Sequence, residues 1–222
     1  MKKLLALGTA LVLASGVLVA LSRTAQNPGE QGYARSKKGT PIAALAKAGQ
    51  KSLLVLKDQA PPLSVEPPPS TRQLEWVTSV LPTALVVRVT TVEPHLTAGT
   101  DWIESTVTAT VEQVLKTPAT LPLVQGQSVQ FTQDGGDMDL SGVQIHAVLP
   151  WADGFNPQSE YLIFANATDD GNLVVNPFTA YRIGIASALV PLAKAGNPRS
   201  EIDVPLAVAA ARIMAAVQGQ PR

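Results

Sequence analysis

The chain has 222 residues, 45% of them apolar, enough for one core of moderate size with tails. It has no cysteine, which excludes disulfides, thiolate catalysis and Cys-ligated zinc or iron–sulfur centres without arguing against export. Seventeen basic and seventeen acidic residues cancel overall but not locally: residues 23–60 hold seven basic and two acidic side chains, residues 61–222 eight and fifteen. Affinity for a phosphate backbone comes mostly from lysine and arginine, so nucleic acid is not an expected partner of a body at −7.

Met1, Lys2 and Lys3 form a short positive stretch, and Leu4–Leu21 is an uncharged run rich in Leu, Val and Ala. Ala20 and Ser22 are small and two apart, the spacing a signal peptidase reads, so residues 1–22 are expected to be a signal peptide. Eighteen apolar residues also reach the lower edge of what spans a bilayer, about 17–25, so an uncleaved N-terminal anchor is the alternative. Either way the remainder is expected outside the cytoplasmic membrane, secreted or periplasmic, touching membrane only through this segment.

Residues 23–70 read as a flexible, basic, Pro-rich linker, with Asn27-Pro28-Gly29, Pro61-Pro62 and Pro67-Pro68-Pro69. Ile42–Leu56 inside it has a weak helical pattern broken by Gly49. A β-barrel domain is expected over 71–186. It opens on a short helix capped by Ser70 or Thr71, with Leu74, Val77 and Leu81 on one face, stopped by Pro82. Strands are expected at Leu85–Val92, Ile103–Leu115, Ser128–Thr132, Val143–Val148, Tyr161–Ala165, Leu173–Val175 and Tyr181–Ile185. The second is the clearest: Ile103, Val107, Ala109, Val111 and Leu115 alternate with Glu104, Thr106, Thr108, Thr110 and Glu112, the period of a long half-buried strand. Asp169-Asp170-Gly171-Asn172 is a hairpin turn. Residues 187–222 are a helical tail, with Asp203 capping a helix over Ile202–Val217 and Pro205 in its first turn. The fold class is mainly β: a small antiparallel, OB-like barrel with a short N-terminal helix and a C-terminal helix.

Glu75-Trp76, Leu85-Val86-Val87-Arg88-Val89, Ile103–Lys116, Gly126–Phe131 and Glu160-Tyr161-Leu162-Ile163-Phe164 together resemble a loose group of uncharacterised secreted bacterial domains. There a "vvvGrV" strand is followed by a long Thr/Val strand ending in "vLKg", a "pG..v.v" strand and "GerYLlFl" before a hairpin. These domains look like OB-fold or netrin-like (TIMP-like) barrels. The match covers about half the chain, and a valine precedes Arg88 where the group often has glycine, while Thr117-Pro118 replaces the glycine after Lys116. The resemblance implies a barrel and no catalytic residue. The netrin-like relatives that inhibit metalloproteases depend on an N-terminal cysteine, which is missing here.

Three constellations carry possible chemistry. His95 in a turn and His146 on a strand can each serve as a general base beside a loop aspartate, but the chain has no GxSxG elbow and no HExxH motif. Asp134, Asp137 and Asp139 share one Gly-rich loop and are the candidate ligands for calcium, although the spacing is not that of an EF-hand. Trp151 and Phe155 bracket Ala152-Asp153-Gly154 and form a candidate ligand-binding platform if exposed, or a barrel plug if buried. The leading expectation is a non-catalytic module that binds an envelope protein or polymer. The alternatives are an envelope hydrolase using His146 or His95 with loop aspartates, and a calcium- or small-ligand-binding module.

Overall fold

Five strands close a barrel: β3 (Thr83–Leu96), β4 (Ile103–Lys116), β5 (Ser128–Asp134), β8 (Glu160–Ala167) and β9 (Leu173–Ile183). Strand β3 pairs antiparallel with both β4 and β8, β4 with β5, and β8 with β9. The ring shuts where β9 meets β5 in parallel, at the single pair Phe131–Leu173. This order is consistent with an OB-like barrel. The structure, a computed structural model, describes residues 31–57, 73–168, 172–194 and 203–219. The expected leader, the caps at Ser70 and Thr71, and most of the turn at Asp169–Asn172 lie outside those residues.

A second, four-stranded sheet stands against the barrel in the order β1 (Gln31–Arg35), β2 (Ser52–Leu56), β7 (Val143–Val148), β6 (Gly136–Leu140). Here the sequence reading needs correction. Residues 31–57, read as linker, form two strands and a short 3-10 turn at Ile42–Leu45, and Ile42, Leu53 and Val55 are fully or almost fully buried. Strand β2 lies parallel to both β1 and β7. With the β5–β9 closure, these pairings make the strands mixed, not purely antiparallel. The Gly/Asp segment read as a loop is β6, an edge strand whose Asp137 and Asp139 point out while Met138 packs inward.

The tail also differs from its reading. Leu189–Pro191 forms β10 on the edge of β9, and the helix α2 (Leu206–Gln218) has Pro205, not Asp203, at its N-cap. A helix α1 spans Gln73–Val80.

Three cores follow from this layering. Inside the barrel lie Val87, Val107, Val111, Phe131, Tyr161 and Ile163. The outer faces of β3, β8 and β9 are covered by α1 and α2, which bury Leu74, Val77, Ala209, Ala210 and Ile213 against Phe164 and Tyr181. Arg212 clamps the two helices together by a two-pronged bond to Glu75, 2.7 Å on each prong. Lys116 donates to the carbonyls of Thr78 and Leu81 at the end of α1, and burial lowers its pKa. The third core joins the small sheet, through Leu53, Val55, Ile145 and Ala147, to Trp102 and Ile103 at the tip of the β3–β4 hairpin.

Asp101 ties that hairpin tip to the N-terminal layer: its carboxylate accepts from the Gly39 amide at 2.8 Å and from the Thr97 hydroxyl at 3.1 Å. The Gly39 bond, then the Thr97 bond, hold its pKa below the ordinary carboxylate value. A depressed pKa stabilises the fold above the ordinary range, near 3.9, and that contribution is lost as pH falls through the lower folded value. The protection of the Gly39 amide, its exchange relative to the unstructured rate at the same pH, should therefore fall on acidification with a midpoint below about pH 3.9, and Asp101→Asn should abolish the step. A midpoint at or above the ordinary value would contradict the bond's role.

Candidate functional site

Phe155 is 5% exposed. Its ring lies 4.8 Å from Phe131 and 4.7 Å from Tyr161, centroid to centroid, and its amide donates to Gln133 Oε1 at 2.7 Å. Of the two expected geometries, plug or platform, Phe155 takes the plug. Trp151 is half-buried and stacks on Phe178, 5.5 Å between centroids and within 6° of parallel. The two aromatics therefore do not form one exposed surface.

The three loop aspartates do not converge. Asp134 holds Lys57 Nζ at 2.9 Å, Asp137 faces His146 Nδ1 at 3.0 Å, and Asp139 accepts from the Gly142 amide and from Gln144 Nε2 at 3.0 and 2.8 Å. Among the described residues, no group of three or more His, Asp or Glu side chains is placed to hold a metal ion. The histidines are likewise separate. His95, near the end of β3, lies 4.0 Å from Glu104, whereas His146 sits on β7 in the other sheet. His146 with Asp137 is a base with an orienting carboxylate, but among the described residues no serine or threonine hydroxyl hydrogen-bonds to either histidine.

What the structure does assemble is a groove along the barrel seam. Because β5 and β9 pair at one residue only, the outer surface beside that pair is open. A cleft of about 380 Å³ lies there, lined by Thr106, Gln130, Thr132, Thr168 and Asn172 over a floor that includes Phe131 and Leu173. None of its lining residues is ionisable. Alternation explains the chemistry: Thr106 on β4 and Gln130 and Thr132 on β5 point outward opposite the barrel core. A second cleft, about 270 Å³, shares Thr132, Val174 and Val175 with the first and adds Trp151 and Asn176. A third, about 430 Å³, shares Gln133, Asp134, Phe155 and Pro177 with the second and reaches Asp137 and Asp153. Neighbouring clefts thus share walls; the first is neutral, and the second and third carry carboxylates. In the third, Asp153 is paired with Lys194 at 2.8 Å.

Of the residues expected from the sequence, Asp134 and Phe155 line the second and third clefts, Asp137 the third and Trp151 the second, while Asp139 lines none of them and none lines the neutral first cleft. The only signal for it was the outward Thr and Gln on two neighbouring strands. No known family model matches the chain, and no curated protein matches it either.

Proposed function

We propose that the protein is an exported, non-catalytic barrel module that binds an extracytoplasmic protein or polymer in the seam groove. The observation that carries this is the row of three open clefts with shared walls, which suits an extended ligand better than a small molecule. In the neutral cleft, hydroxyls and side-chain amides both donate and accept, and the apolar floor suits C–H surfaces. A polyhydroxylated, uncharged chain fits that cleft best. Export is supported by the sequence of residues 1–22.

The test is site-specific photocrosslinking in intact cells. Val174 is 54% exposed in the groove, while Val124 is 61% exposed and lines none of these clefts. A photoreactive side chain at 174 should give a discrete adduct that the same group at 124 does not. Gln130→Ala with Asn172→Ala should reduce that adduct about tenfold or more, at roughly 1 kcal/mol for each lost hydrogen bond. An absent adduct, or equal adducts at both positions, would sink the reading.

One contact favours the hydrolase alternative, His146 Nδ1 to Asp137. That reading requires turnover of an envelope ester or amide to vanish in His146→Ala while the groove adduct persists. A calcium-binding module would require Asp134 to leave Lys57 and Asp137 to leave His146.

A further inference from the structure

Charge in this protein is sorted by layer. Residues 31–57 contain six basic side chains and no acidic one, while residues 61–222 are acidic on balance. In the fold these cations are not strung along a tether. Arg35 lies in β1, Lys37, Lys38, Lys47 and Lys51 in the connection to β2, and Lys57 just after β2, a layer held by parallel pairing to β7 and by the Asp101–Gly39 bond beside Lys37 and Lys38. Lys57 turns inward to Asp134 and lies 5.3 Å from the centre of the Trp102 ring. Arg35, Lys37, Lys38, Lys47 and Lys51 are exposed.

The outer face of the same sheet is apolar over part of β1 and β2 and at Val148, with Gln144 and His146 of β7 beside it. Register places Tyr33 beside Leu54 and Leu56 beside Val148. Tyr33 is 59% exposed and Val148 38%. An exposed tyrosine with aliphatic neighbours, in a layer that also carries exposed cations, is the composition of a surface that rests at a lipid–water boundary. The acidic residues of this sheet, Asp137 and Asp139, lie on β6, the edge opposite β1, and are bonded to His146 and Gln144.

We propose that the β1 side of the small sheet docks on an anionic lipid surface, with the phosphate headgroups as its partner. Two features select lipid over another polyanion. First, nine residues separate the apolar run Leu4–Leu21 from Gln31, and the ten steps from Leu21 to Gln31 span at most about 36 Å, so a chain carrying that run at a bilayer keeps this face near it. Second, the exposed apolar side chains Tyr33 and Val148 have a counterpart in a bilayer interface and none in a soluble polyphosphate. Each cation near an anionic leaflet strengthens partition about fivefold. The remaining body, net acidic, is repelled from the same surface, which fixes which side faces down. This inference does not depend on the groove reading.

The full chain, reconstituted in nanodiscs, tests it by lysine acylation read out by mass spectrometry. Lys37, Lys38, Lys47 and Lys51 should label about threefold more slowly in discs containing phosphatidylglycerol than in discs of phosphatidylcholine alone, and high salt should reverse this. Lys194, paired with Asp153 outside this layer, serves as the reference and should not change. Tyr33→Ser should lose a substantial part of the protection without altering the melting curve, because that side chain is exposed. Equal rates in both discs overturn the proposal. So does equal slowing of Lys194, or the same protection produced by soluble polyphosphate or an oligonucleotide in phosphatidylcholine discs. Because the readout ignores the seam, failure here leaves the crosslinking at Val174 to be judged separately.

Discussion

Phe155→Ala is expected to destabilise the protein by about 3–5 kcal/mol, the range for removing a fully packed aromatic ring. The ring fills one end of the barrel, against Phe131 at 4.8 Å and Tyr161 at 4.7 Å, in edge-on and tilted arrangements that add to area burial alone. Nothing nearby can collapse into the gap cheaply. Phe131 and Tyr161 sit on paired strands, and the Tyr161 hydroxyl is already fixed by the Asn156 amide at 2.8 Å. Urea denaturation of the intact chain measures the effect, with Phe155→Leu as the comparison that keeps most of the volume and should lose roughly half as much. A loss below about 1 kcal/mol for Phe155→Ala would mean that the ring is not the plug. Because Phe155 also walls the second and third clefts, the alanine variant should weaken groove crosslinking in proportion to its instability, whereas Gln130→Ala should weaken it with little effect on stability.

Much of the barrel was legible because its strands announce themselves locally. Ile103–Lys116 alternates as far as Glu112, and its inward set Ile103, Val107, Ala109 and Val111 is fully buried. Register shifts against β3 then break the pattern at Gln113, so Val114 packs against the barrel core and Leu115, expected beside Val111, lies under the helices instead. Strand β9 was read as two pieces because Asn176 and Pro177 break its pattern. The structure keeps them in one strand by a register shift: β8 advances from Ile163 to Ala165 while β9 covers Val175 to Ala180. The Thr179 hydroxyl then bonds the Phe164 carbonyl at 3.1 Å. The N-terminal layer was not legible for a different reason. Ser52–Leu56 is a good buried strand, but its partner β7 lies some ninety residues later, and parallel pairing leaves no turn between neighbours to reveal it. The seam groove depends on the same kind of remote event, the one-pair meeting of β5 and β9. For Trp151 and Phe155 the sequence leaves platform and plug both open. Their exposure was not readable, because alternation rules do not extend into the irregular stretch between β7 and β8.

Gly135 is where the barrel becomes the second sheet, and Gly135→Ala is expected to cost about 3 kcal/mol or more. Two penalties combine there. The residue has φ +91°, a left-handed conformation that costs a side-chain-bearing residue roughly 1–2 kcal/mol. An added Cβ would also stand 2.6 Å from the Ala147 carbonyl oxygen, which is backbone in β7 and cannot swing aside. The glycine is held on both sides, its amide donating to the Ile103 carbonyl at 2.9 Å and its carbonyl accepting from the buried Ser105 hydroxyl at 2.7 Å. Relieving the clash must therefore break one of those bonds or push β7 away from β6. Gly126→Ala is the matched control: its φ is +84°, but nothing lies within 4 Å of the new Cβ, so it should carry the conformational penalty alone. Thermal unfolding of the two variants isolates the contact energy as their difference. Hydrogen exchange should then show the small sheet loosening before the barrel, because β7 is the strand displaced and β2, with the whole N-terminal layer, hangs from it. Equal destabilisation by the two substitutions would show that β7 yields freely. The basic layer would then be hinged on the barrel, not held against it.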